Sequence, residues 1–284
     1  MIPCKIPGRS IGVFNATLHV FSIGVRLLGY RARIALALKG IQYEPVNVVG
    51  GRGSDDLKKQ EYLDLNPSAV VPTLVDGDSV LTQSIPIMEY LEETYPETPI
   101  LPADAAGRAR VRAIAQVMVS DTHPLRTARV IEFIDETLGL EKKALDQWLK
   151  HWNERGFGAV EWMLADGRIP GDFCHGNEPT MADICLVAQI FVAEKFGADL
   201  SGLANVNRIH GTCMAHPWRI RPSATRPLAN SRTTRTIKNK DIPPGVLKGA
   251  IQNRPGPYNP SVFWAERTKS PGFPEPFDGG RGWD

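Results

Sequence analysis

A proline inside a strand-like run constrains this chain more than any other feature. The run is Val70-Val71-Pro72-Thr73-Leu74-Val75, apolar and rich in β-branched residues. Proline cannot donate to a sheet ladder, so Pro72 must start a strand or lie at an edge. Asp76-Gly77-Asp78 follows as a turn signal between two strand-like runs. Gln83-Ser84 then opens a segment with Ile85, Met88 and Leu91 at helical spacing. The order is strand, tight turn, strand, polar pair, helix.

That order has chemical consequences. A helix N-terminus presents unpaired N–H groups and the positive end of a dipole, which suits a carboxylate. Gln83 and Ser84 stand where side chains can help hold one. An X-Pro bond ahead of a strand is a place for a cis peptide. It would leave the N–H and C=O of Val71 free to pair with an extended, peptide-like molecule, as in strand addition. A plain hairpin followed by an N-capped helix is the simpler reading of the same residues.

Upstream, Leu18 to Ile23 reads as a strand, Tyr30 to Gly40 as a helix with a glycine stop, and Tyr43 to Val49 as a further strand. Downstream, Pro96 to Pro102 is a proline-rich linker, and only helical patterns follow it. The first runs from Ala105 to Val119. Asp121-Thr122-His123-Pro124-Leu125 breaks and restarts it, with Pro124 suited to a first turn. Lys142 to Ala165 is amphipathic, and its tryptophans Trp148, Trp152 and Trp162 are expected to anchor the core. Thr180 and Asp183 have the spacing of a capping box, with Asp in place of the usual Glu or Gln. The helix they open runs on to Glu194-Lys195-Phe196-Gly197, and Val206 to Pro217 reads as another.

A chain of 284 residues accommodates two domains. Its net charge of +2 indicates no global preference for nucleic acid or membrane. The four cysteines, Cys4, Cys174, Cys185 and Cys213, have neither CxxC nor metal spacing, so no metal site is expected. They fit a reducing compartment better than a disulfide framework. No apolar run reaches the ~18 residues of a membrane helix. The expected location is cytoplasmic. Residues 218–240 carry seven Lys or Arg and no acid, and the rest of the chain is rich in Pro and Gly. Such a composition cannot pack a second core and reads as a disordered extension.

Asn66-Pro67-x-x-x-Val71-Pro72-Thr73-Leu74, with Gln83-Ser84-x-x-Ile87-x-Glu89-Tyr90-Leu91-Glu92-Glu93 after it, resembles the glutathione-binding half of a glutathione transferase. The similarity is greatest to the zeta class, the maleylacetoacetate isomerase family, and it runs over about residues 30–217. It implies a thioredoxin-like α/β domain over residues 17–98, an all-helical domain over 104–217, and a tail from 218 to 284. It implies a homodimer with glutathione as cofactor in a cleft between the domains. Val71 would pair with the glutathione backbone. Gln83 and Ser84 would hold the γ-glutamyl end, and Arg31 of the first helix belongs to the same cofactor-binding set.

His123 matches the place that faces glutathione from the second domain. It could equally be a cap or a surface residue. The family often carries Asn one or two residues after the leucine, where this chain has Arg126 and Thr127. Lys195 stands where the zeta class has an arginine facing the substrate carboxylates. The alternative is an exposed last-turn lysine, favoured by the helix dipole.

One departure bears on catalysis. The family's Ser-Ser-Cys would occupy the places of Arg26, Leu27 and Leu28, so the hydroxyl expected to hold the glutathione sulfur is absent. A thiol with pKa near 8.5 is only about 3% ionised at pH 7, and lowering it by about two units requires roughly 2.7 kcal/mol. A hydrogen bond to the thiolate would supply about 1.5–3 kcal/mol of that. Arg26 is a candidate electrostatic substitute and Ser22 a candidate hydroxyl substitute; a loop charge and an ordinary strand residue are the plain readings.

The activity implied by the resemblance is glutathione-dependent cis–trans isomerisation of maleylacetoacetate in tyrosine and phenylalanine breakdown. Two alternatives stand beside it. One is a glutathione transferase or dehalogenase with a different acceptor pocket. The other is a non-enzymatic protein of the same fold, favoured by the missing Ser-Ser-Cys.

Overall fold

The computed structural model describes residues 18–22, 29–48, 56–165 and 171–216. Arg26, Cys4 and the basic tail lie outside the described residues.

Four short strands build the first half: β1 (Leu18–Ser22), β2 (Tyr43–Asn47), β3 (Thr73–Asp76) and β4 (Ser79–Thr82). They lie in the order β2-β1-β3-β4. β1 is parallel to β2 and antiparallel to β3, and β3 is antiparallel to β4. Pro72 immediately precedes β3, so its missing N–H costs no ladder bond. Side chains alternate across a strand. Val20 and Leu74, paired across β1 and β3, face one core; Phe21 and Val75 face another with Val48, Tyr62, Leu65 and Val71.

Two helices cover the larger face, α1 (Tyr30–Leu38) and α3 (Ser84–Thr94); α2 (Gln60–Leu63) is a single turn. α1 buries Ala32, Ile34, Ala35 and Leu36, and α3 buries Ile87, Met88 and Leu91. The two helices pack on each other.

The helical half comprises α4 (Ala105–Gln116), α5 (Ala128–Leu138), α6 (Lys142–Leu164), α7 (Met181–Lys195) and α8 (Ala204–Ala215). A buried ion pair in the first half holds the linker that leads to them. The Lys39 side chain is 1% exposed, and its Nζ donates to Glu92 Oε2 at 3.2 Å and to the carbonyls of Tyr95 and Thr98 at 2.9 and 2.7 Å. The Glu92 carboxylate also accepts from the N–H groups of Ile100 and Leu101, at 2.8 and 3.3 Å. Both charges are therefore hydrogen-bonded on several sides, the condition under which burying an ion pair is tolerable.

α7 is the central helix of the molecule. Nearly every residue from Met181 to Ala193 is buried, which fits a helix apolar on all faces. Its N-terminus is fixed by the expected box. The Asp183 carboxylate accepts from the Thr180 N–H at 2.8 Å, from Thr180 Oγ1 at 2.7 Å and from the Cys174 N–H at 2.8 Å. Asp183 thus ties the preceding loop to the helix as well as capping it.

Two expectations need correction. The helix from Ala105 does not continue regularly to Val119. It widens into a π-helical turn over Val117–Thr122, where Thr122 Oγ1 donates to the Val117 carbonyl at 2.8 Å. Gly156 of α6 comes so close that a Cβ there would overlap the Thr122 side chain. The tryptophans of α6 do not all anchor the core. The buried stripe of α6 is Leu149, Asn153, Gly156, Phe157 and Val160; Trp162 lies about 200° around the helix from Val160 and is 79% exposed. Trp148 and Trp152 are half-buried, and Trp148 Nε1 donates to the Leu125 carbonyl at 2.7 Å.

Among the described residues, no helix is long and apolar enough to cross a membrane.

Replacing Asp183 by Ala leaves two buried N–H groups and a hydroxyl without their acceptor, at about 1–3 kcal/mol for each buried orphan. Asp183→Ala is expected to lower unfolding stability by about 3–5 kcal/mol in urea titration. A loss below about 1 kcal/mol would contradict this role.

Candidate functional site

The segment before Pro72 is held by side chains from α2 and the loop after it. The Val70 carbonyl accepts from Tyr62 Oη at 2.6 Å and from Asn66 Nδ2 at 2.7 Å. Tyr62 Oη also lies 3.0 Å from Thr73 Oγ1. Burial pushes the Tyr62 hydroxyl up to about 12, so it remains protonated and able to donate. Asn66 Oδ1 accepts from the Ser68 N–H at 3.1 Å. The Val71–Pro72 peptide bond is cis. The Val71 side chain is buried against Tyr62 and Phe21, while its backbone N–H and C=O take no hydrogen bond among the described residues.

After β4, Gln83 sits at the N-cap of α3 with φ 69 and ψ 135, a region that side chains seldom enter. Its side chain is exposed, whereas Ser84 is buried. Arg31 Nη1 donates to Ser84 Oγ at 3.1 Å. Arg31 Nε is buried with no hydrogen-bond partner, and burial lowers the guanidinium pKa from its ordinary value. Ser84, Arg31 and the first N–H groups of α3 form one polar corner.

A second wall comes from the helical half. The π-turn places His123 next to the 3-10 turn Pro124–Arg126. Arg126 Nη2 lies 2.8 Å from His123 Nδ1. A guanidinium only donates, so Nδ1 accepts and the ring is neutral with its proton on Nε2. Burial is the main cause holding His123 well below the ordinary imidazole range; the positive charges of Arg31 and Arg126 add to it, and Gln189 works in the opposite direction. Gln189, fully buried on α7, is steadied by its Nε2 donating to Asn153 Oδ1 at 3.0 Å. Arg126 is 9% exposed, lies 6.0 Å over the Phe196 ring, and has an Nε with no hydrogen-bond partner among the described residues. Tyr30 at the start of α1 packs on Phe191 of α7, ring centroids 6.0 Å apart, and joins the two walls.

Ser22 is buried beside Gly29, the residue that opens α1 with φ 94; a Cβ there would stand 2.7 Å from the Cβ of Ser22. The hydroxyl therefore belongs to the strand end that abuts the α1 N-terminus. Lys195 is exposed in the last turn of α7.

Several candidate residues thus come together. Arg31 and Ser84 touch, Gln83 adjoins them, and His123 lies within the field of Arg31. Lys195 is not drawn into this group. Arg126, Gln189, Tyr30 and Tyr62 take part in the site or its support without having been singled out for it. Arg126 was visible as a departure from the family pattern, but its proximity to Arg31 depends on folding across 95 positions of chain.

Residues 29–99 match the glutathione S-transferase N-terminal domain family. The maleylacetoacetate isomerase of Pseudomonas aeruginosa is 40% identical over 191 residues, 66% of this chain and 87% of that protein. This chain belongs to the zeta-class glutathione transferase and maleylacetoacetate isomerase family. A maleylpyruvate isomerase of a Ralstonia species is likewise 40% identical, over 184 residues covering 65% of this chain and 86% of the relative. Among solved structures of the family, maleylacetoacetate isomerase from Methylobacterium extorquens AM1, with bound malonate and glutathione, superposes with a TM-score of 0.66 at 37% identity, covering 69% of this chain and 92% of that one. The family has the fold expected here, a thioredoxin-like domain followed by helices.

A residue other than glycine at φ 69 stores about 1–3 kcal/mol, partly offset in Gly by about 0.5–1 kcal/mol of backbone entropy. Gln83→Gly is therefore expected to raise unfolding stability by about 1 kcal/mol, read from the urea midpoint. A fall in stability would show that the Gln83 conformation carries no strain.

Proposed function

We propose that this chain is a glutathione-dependent isomerase that converts maleylacetoacetate to fumarylacetoacetate. The observation that carries the reading is the pair of Val71 backbone groups, without a hydrogen bond among the described residues, which the antiparallel register of β3 and β4 sets opposite the Ser84–Arg31 corner. An extended peptide with a terminal carboxylate matches both, and glutathione is such a molecule. Val71 pairs with its backbone as an added strand would. Ser84, Gln83 and the α3 N-terminus take the γ-glutamyl carboxylate, and Arg31 balances its charge. His123, neutral and held by Arg126, lines the opposite wall and offers its Nε2–H as a donor.

When bound, glutathione supplies a thiol whose reversible addition to the double bond permits rotation about it, after which the thiol is regenerated. The described residues that favour its ionised form are Arg31 and Arg126, two buried positive charges. Ser22 and the N-terminus of α1 lie on the same side of the sheet end, and Arg26 belongs to the connection between them. Lys195, exposed in the last turn of α7, has no part in this reading. The exposed apolar residues Phe133 and Leu138 of α5 support a homodimer, and cytoplasmic tyrosine and phenylalanine catabolism is the setting that fits the activity.

The test is turnover of maleylacetoacetate with glutathione at a tenth of the substrate concentration. Complete conversion to the trans product with all the glutathione recovered is expected. Consumption of glutathione with a halogenated acid, and no isomerisation, would instead establish a transferase or dehalogenase.

A further inference from the structure

Two buried guanidinium groups face this cleft, Arg31 from α1 and Arg126 from the turn after the π-helix. Among the described residues, neither forms an ion pair with a carboxylate. Each retains a buried Nε without a hydrogen-bond partner among the described residues. The two repel: Arg31 is one of the causes that lower Arg126, to about 9, behind burial itself. A buried cation without a counter-charge is costly and is found where an anion comes to meet it.

The two differ in what already satisfies them. Arg31 is committed to Ser84 at the α3 N-terminus. Arg126 comes from the other wall, where, among the described residues, the polar partner of its guanidinium is the Nδ1 of a neutral histidine. The Phe196 ring centroid lies 6.0 Å from its guanidinium carbon. A guanidinium held at one nitrogen by His123 keeps further N–H groups for bidentate capture of a carboxylate. Lys195, by contrast, is exposed on the preceding residue of the same helix end.

We propose that Arg126 is the specificity-determining anchor for a carboxylate of the acidic acceptor, a role that Lys195 does not fill. The inference deepens the isomerase reading and rests on it for the identity of the acceptor, but the anion site itself does not depend on turnover. His123 is the positioning residue: by accepting from Nη2 it holds one edge of the guanidinium.

The experiment compares wild type, Arg126→Met, Arg126→Lys and Lys195→Met, each saturated with glutathione. Malonate binding is measured by calorimetry, alongside KM for maleylacetoacetate, Kd for glutathione and the urea midpoint of the unliganded protein. Arg126→Met is expected to weaken malonate binding and raise KM about 30-fold, and to weaken glutathione binding by a much smaller factor, below about tenfold, because its charge also favours the thiolate. Arg126→Lys should recover part of the loss, and Lys195→Met should change malonate binding less than threefold. The midpoint of unliganded Arg126→Met should equal or exceed that of wild type, because an uncompensated charge has been removed; an arginine serving structure alone would lower it. Malonate loss in Arg126→Met supports the site even if maleylacetoacetate is not turned over, which would defeat only the isomerase reading. Unchanged malonate binding, wild type that binds no malonate, or a parallel loss of glutathione affinity would each overturn the proposal.

Discussion

Burial of α7 on every side is the constraint around which the molecule is arranged. A helix with no polar face needs neighbours all round, and α1, α4, α8 and the π-turn supply them. Asp183 fixes where that helix begins, and Met181 donates its N–H to the Ile100 carbonyl at 2.8 Å, which sets the helix against the linker. The linker is in turn gripped by Lys39, just past α1, and Glu92 of α3. The two halves are consequently registered to one another by hydrogen bonds, while a shared apolar core supplies the bulk of the association. The same helix reaches the cleft with Gln189 and Phe191, so the position of the site follows from the packing of the core.

The electrostatics of the cleft follow from that placement. α1 and the turn after the π-helix are both fixed from outside the site, and each brings an arginine into the space between the halves. Burial drives His123 neutral and the two arginines add to it; with no acid beside them among the described residues, the cleft carries an excess of positive charge. Ligand binding thus replaces repulsion between fixed groups by attraction to mobile ones. Stability given up in the empty protein reappears as affinity. This is also the feature best able to compensate for the missing Ser-Ser-Cys, since a field from two guanidiniums favours a thiolate without requiring a particular hydroxyl.

Much of this was legible in the sequence because it is local. Pro72 before a strand, the turn at Gly77, the polar pair before α3 and the Thr180–Asp183 spacing each involve residues a few positions apart, and each formed as expected. The features that were not legible depend on distant contacts. The π-turn over Val117–Thr122 reflects the approach of Gly156 from another helix. Trp162 faces solvent because the buried stripe of α6 passes it by two residues, a phase that composition does not disclose. Arg126 reads as a mere departure from the family pattern until Arg31 and Phe196 are seen around it. Lys195 falls in the last turn of α7, beyond the buried run that ends at Ala193, and its exposure depends on where that packing stops.

The central claim is that the cleft binds glutathione and ionises its thiol. An ultraviolet titration of the bound thiol tests it most directly. The described cysteines do not interfere, because burial raises all three thiols, Cys185 to about 12; Cys4 can be removed as Cys4→Ser. The account predicts a bound thiol that ionises at least one pH unit below its free value of about 8.5. Glutathione that binds but titrates at its free value would contradict it.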